Sequence, residues 1–171
     1  MATDPTQYYA VIAQIAAAFA GFGSIASGLG RRSGGDDARI DAHRLATMLV
    51  ASLSATLLGL LPATLSGFSL TERWALGASS IVALAVIIFY APAAIGRAVK
   101  IRKVAGFSMA ANVAHLSCVL IAFGAFSLCA LGRPADRLAA LYLVGLMGLL
   151  GSSVVMFSRV IASMLRPHNE A

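Results

Sequence analysis

None of the long apolar stretches in this 171-residue chain contains an acidic residue; the seven carboxylates are Asp4, Asp36, Asp37, Asp41, Glu72, Asp136 and Glu170. Acidic proton relays, carboxylate-bound metal centres and paired-carboxylate catalysis all need such groups in place. The only lysines, Lys100 and Lys103, also lie outside these stretches, so a retinal-type Schiff base has no amine to form on. Only two cysteines occur, Cys118 and Cys129. They sit eleven residues apart in one apolar run, roughly 16 Å along a helix, which excludes a bond between them within one subunit. The three histidines, His43, His115 and His168, fit neither a Cys-x-x-Cys-His nor a His-Glu-x-x-His spacing. No metal, haem or other cofactor is therefore expected, and no enzymatic activity.

Charge is scarce overall. Charged residues make up 12% of the chain against 59% hydrophobic ones, and the mean hydropathy is +0.84. A soluble fold of this size could not cover its surface with so few charges, so a bilayer must take up the remaining apolar area.

Five apolar runs, 8–29, 45–66, 74–95, 109–131 and 138–161, each suffice to cross a hydrocarbon core of about 30 Å at about 1.5 Å per residue. The expected fold is an all-α integral membrane protein, a single domain of five transmembrane helices at 8–29, 37–66, 72–95, 109–131 and 135–161. Gly30, Gly67, Gly96 and Gly132 follow apolar runs where a left-handed C′ residue ends a helix. Starts are marked by Asp36 or Asp37, by a Ser69/Glu72 capping box, by Ser108 after Gly106, and by Pro134 before Asp136. The segment 1–7 carries no positive charge, so the first run lacks the basic flank of a signal peptide and is expected to be retained.

The net charge of +6 comes from basic residues in short connectors rather than from a stripe on one face, which argues against nucleic acid. Ten fall on one side of the five spans (Arg31, Arg32, Arg39, Arg44, Arg97, Lys100, Arg102, Lys103, Arg159 and Arg166) and three on the other (Arg73, Arg133 and Arg137). The positive-inside rule then places the N-terminus outside and the C-terminus in the cytoplasm, in the inner membrane of a bacterium. Tyr8, Tyr9, Trp74 and Tyr142 fall near the outer ends, where interfacial aromatics belong, while Tyr90 lies near the inner end.

Within the spans, His115 lies roughly 10 Å from the inner end of the fourth helix, with Asn112 one turn earlier on the same face. Ser24, Ser27, Ser52, Ser54, Tyr90, Ser152 and Ser153 fall in the same inner half, and Gln14 lies in the outer half of the first helix. Asn112, His115, Ser52, Ser152 and Gln14 are the candidate residues for a pore or solute site. His115 is the only intramembrane group whose unperturbed titration falls near neutral pH. The alternative role for these groups is cross-bonding of neighbouring helices, at about 0.6 kcal/mol per contact, and serines can also bond back to their own helix carbonyls.

Small-residue ridges at Ala20, Gly23, Ser24, Ser27 and Gly28, and at Gly145, Gly148, Gly151 and Ser152, suit close helix packing within or between subunits, including a homo-oligomer. Pro62 and Pro92 each free a carbonyl four residues back. The four cations Arg97, Lys100, Arg102 and Lys103 are placed for anionic lipid headgroups. Two functions fit these features: a passive channel or small-solute permease acting as a homo-oligomer, and a non-transporting scaffold or subunit of a larger complex.

Overall fold

The computed structural model describes residues 5–29, 36–101 and 108–164. Its helices are α1 (Pro5–Leu29), α2 (Asp36–Gly67), α3 (Glu72–Ile101), α4 (Met109–Ala130) and α5 (Leu138–Met164), with a single 3₁₀ turn at Ala135–Arg137 before α5. All five are long and apolar enough to cross a membrane. The packing is centred on α2 and α5, which lie against each other; α1 covers one side of that pair, and α3 and α4 the other. Half of the apolar window of α5 is buried, against 22% for α4, so α4 is peripheral. α3 packs on α2 and α4 but barely touches α5.

The expected helix ends hold at Gly132, whose φ of +69° supplies the left-handed turn after α4, and at Ser108, whose side chain accepts a hydrogen bond from the Ala111 amide. Two expectations fail. Gly96 does not end the third helix, which runs a further turn and a half to Ile101, because the amphipathic pattern continues through Arg97 and Lys100. Ser69 does not cap α3. It has φ +64° and donates its amide back to the Ser66 carbonyl, so it closes α2 instead. The Ala75 amide bonds to the Thr71 carbonyl, which makes Thr71 the residue that opens α3. Gly30 lies outside the described residues.

The end of the bundle holding Arg73 and Arg137 is densely packed. Tyr9, Leu58, Leu76, Phe126, Tyr142 and Leu146 form its buried core. Tyr142 stacks edge-on against Tyr9 at 5.3 Å and Phe126 at 5.5 Å. Tyr9 and Tyr142 do not face outwards as interfacial aromatics do; they are almost wholly buried inside the bundle, whereas Tyr8 and Trp74 are exposed. A specific hydrogen bond accounts for Tyr142. Pro62 has no N–H to give to the carbonyl of Leu58 one turn earlier, and the Tyr142 hydroxyl donates to that carbonyl at 2.6 Å. The Tyr9 hydroxyl donates to the Ala139 carbonyl at 3.3 Å and ties α1 to α5.

The small-residue ridges allow this density. A Cβ on Gly59 would sit 2.8 Å from the Tyr9 carbonyl oxygen, and one on Gly148 would sit 2.8 Å from the Cys118 carbonyl oxygen. α1 and α2, and likewise α4 and α5, therefore touch at backbone distance. The space beside Gly23 is filled by the Met48 side chain, and Gly145, Gly148 and Gly151 pack on α4, so these ridge positions are used within one subunit, while Ser24 of the α1 ridge is exposed; Ser27 and Gly28 lie outside the described side chains. Both cysteines are free. Cys129 is buried beside the Leu138 carbonyl, 3.7 Å from its Sγ, and Cys118 lies against Gly151, so both face α5 as packing residues.

If Tyr142 satisfies the carbonyl that Pro62 frees, Tyr142→Phe leaves a buried acceptor unpaired and lowers stability by about 1–3 kcal/mol. The loss should shrink in a Pro62→Ala background, where the alanine supplies an amide that regains the Leu58 carbonyl. Unfolding free energies of the four proteins in detergent check this; an equal loss in both backgrounds would contradict the pairing.

Candidate functional site

His43, Thr47, Val50 and Ser54 recur at steps of four, three and four residues, which places them in one stripe along α2. Ile87, Tyr90, Ala91 and Ala94 form the matching stripe on α3, Asn112, His115 and Val119 on α4, and Leu149 and Ser152 on α5. Because α3 stands away from α5 at this end, the four stripes enclose a cavity of about 340 Å³ instead of meeting. That volume is at the low end of the range for small-molecule sites, about 300–1,000 Å³.

The lining is graded. The depth of the cavity, towards the packed end, is Val50, Val86, Ile87, Val119 and Leu149, with the Ser54 hydroxyl the one polar group there. Towards the basic end the wall turns polar through His43, Thr47, Tyr90, Asn112, His115 and Ser152. These groups are held in place. The Thr47 hydroxyl donates to the His43 carbonyl at 2.8 Å, and the Tyr90 hydroxyl lies 3.5 Å from Thr47 Oγ1. His115 Nδ1 and the Ser152 hydroxyl share a hydrogen bond of 2.9 Å, and the Asn112 amide reaches the Ser108 carbonyl at 3.5 Å. The Arg97 guanidinium lies 5.3 Å from the centre of the Tyr90 ring, so a cation stands at the basic end of the cavity.

A second, much smaller cavity of about 10 Å³ adjoins His43, Ser108, Asn112 and Arg159, about the room one water molecule needs. His43 Nδ1 and Arg159 Nε are buried there without a protein hydrogen-bond partner. Arg44 is engaged by Asp41 at 2.9 Å.

The structure brings together three of the five candidate residues, Asn112, His115 and Ser152. The other two lie elsewhere: Ser52 is fully buried between helices, and Gln14 is exposed on the outer surface of α1. Ser54 and Tyr90 also join the cavity, whereas the Ser24 and Ser153 hydroxyls bond to their own helix carbonyls at Ala20 and Leu149. His43 and Thr47 are cavity residues that the sequence candidates do not include. The sequence does carry a signal for them, the polar stripe at 43, 47 and 54, which the cluster of charges around His43 obscures. Arg97 and Lys100 are exposed on the last turns of α3, while Arg102 and Lys103 lie outside the described residues. No family model matches the chain, and neither curated proteins nor solved structures give a match, so the chemistry of the cavity alone carries the functional reading.

The His115–Ser152 hydrogen bond should couple α4 to α5. A double-mutant cycle of His115→Ala and Ser152→Ala, read by unfolding in detergent, is expected to give about 0.6 kcal/mol and at most about 1.7 kcal/mol. A coupling of zero would mean that the two side chains do not meet.

Proposed function

We propose that the protein is a small-solute permease of a bacterial inner membrane, with its N-terminus outside, its C-terminus in the cytoplasm, and the cavity between α2, α3, α4 and α5 as its solute site. The observation that supports this reading is the contrast between the two ends of the bundle. One end holds a cavity with oriented polar groups, and the other is filled by Tyr9, Phe126 and Tyr142. With the basic connectors on the cytoplasmic side, this arrangement corresponds to a site reached from the inner half of the membrane and shut outwards, as alternating access requires. It favours a gated pathway over a permanently open channel within one subunit.

The roles follow from position. His115, paired with Ser152, and Asn112 orient the polar part of a solute; Val50, Ile87 and Val119 shape the space for its apolar part. Transport requires the packed end to loosen, and the Tyr142–Leu58 bond is the contact that must break. A Cβ added at Gly21, Gly77 or Gly124 would meet no atom within 4 Å, which leaves close-approach surface on α1, α3 and α4 for a homo-oligomer.

Flux of small amphipathic solutes into proteoliposomes tests the proposal. Uptake above empty liposomes is expected, abolished by Ala94→Trp, which fills the cavity, and reduced by about 2–13-fold by His115→Ala, since an orienting polar contact is worth about 0.5–1.5 kcal/mol. Equal flux in all three proteins would exclude the cavity as the solute site, and flux no higher than that of empty liposomes would favour a non-transporting subunit of a larger complex.

A further inference from the structure

The way into the cavity is sideways. Its walls on α2 and α5 are the less open ones: Thr47 and Ser152 are each 1% exposed and His43 8%, while Val50 and Ser54 are partly buried. The lining residues on α3 and α4 that reach the surface are Ile95, Val99, Met109 and Leu116, exposed by 55%, 55%, 70% and 47%. All four are apolar. An opening onto water would be rimmed by polar groups, whereas an apolar rim between two peripheral helices faces acyl chains.

Three further features define what would pass through it. The cavity is apolar in its depth and carries most of its polar groups towards the basic end, beside the apolar Ile95, Val99 and Met109, a gradient like that of an amphiphile of the adjacent leaflet whose head lies at the surface. Its volume of about 340 Å³ suits one chain and not two. Among the described residues no carboxylate lines it, and Arg97, which stands beside the lining Tyr90 ring without itself lining the cavity, has no carboxylate partner. A negatively charged head would meet Arg97 directly, with hydrogen bonds available from Tyr90 and Asn112.

We infer that the cavity takes a single-chain anionic amphiphile, a long-chain carboxylate, which enters from the cytoplasmic leaflet between α3 and α4 and sets its head at Arg97 and its chain along Ile87 and Val119. This rests on the reading of the cavity as a solute site and names the class of solute.

Binding is read without transport, using the protein in lipid nanodiscs and a fluorescent twelve-carbon carboxylate displaced by unlabelled dodecanoate, dodecanol, dodecylamine or phosphatidylglycerol. Dodecanoate is expected to displace the probe at least about tenfold better than dodecanol or dodecylamine, as one charge-assisted contact provides. Arg97→Gln should remove that preference and leave dodecanol unchanged, and Ala94→Trp should abolish binding of all three. Equal displacement by the charged and neutral chains, a preference that survives Arg97→Gln, or displacement by phosphatidylglycerol as strong as by dodecanoate would overturn the inference. A protein that binds dodecanoate but moves no solute would lose the permease reading alone, and one that transports short polar solutes without binding dodecanoate would lose this inference alone.

Discussion

The carbonyl that Pro62 deprives of its helical partner holds this bundle together at one end. A buried backbone oxygen left unpaired costs about 1–3 kcal/mol, so some group must reach the Leu58 carbonyl, and the Tyr142 hydroxyl does so from α5. That bond fixes the rotation of α5 against α2. Tyr9 and Phe126 then pack on the two sides of the Tyr142 ring, which fixes α1 and α4 as well. Three close contacts follow from this arrangement: Gly59 under α1, Gly148 under α4, and Gly145 against the Phe126 ring.

No such device is found at the other end among the described residues. The glycines there do not draw α3 onto α5, and a second proline, Pro92, lies on the exposed side of α3. α3 therefore follows α2 and α4 and leaves the interior between them partly unfilled. The polar groups at this end are already held by their own bonds, Thr47 to the His43 carbonyl, Asn112 to the Ser108 carbonyl and His115 to Ser152, so closing the walls would gain them no further partners. The same bundle thus combines a tightly packed end with an end that encloses a cavity.

Much of the fold was legible in the sequence, because span length and apolar composition depend on local residues alone. Asn112 and His115 were legible as a pair for a similar reason: an amide and an imidazole one turn apart on an apolar helix point the same way. What pattern could not reveal was set between helices. Tyr9 and Tyr142 sit where interfacial aromatics sit, and only the carbonyls of Leu58 and Ala139, on other segments, draw them inside. Gly96 has the position of a helix stop, yet no competing turn forms there and the helix continues. Ser52 and Ser152 look alike in sequence, but α5 faces the cavity at Ser152, while Ser52 turns into the helix interface.

An experimental structure of the protein in a lipid bilayer would test the asymmetry of the bundle most directly. In that structure α3 is expected to stand apart from α5 beside His115 and Tyr90, with the Tyr142 hydroxyl on the Leu58 carbonyl at the opposite end. A map in which α3 lies against α5 along its whole length, or in which Tyr142 points outwards to the membrane interface, would contradict it.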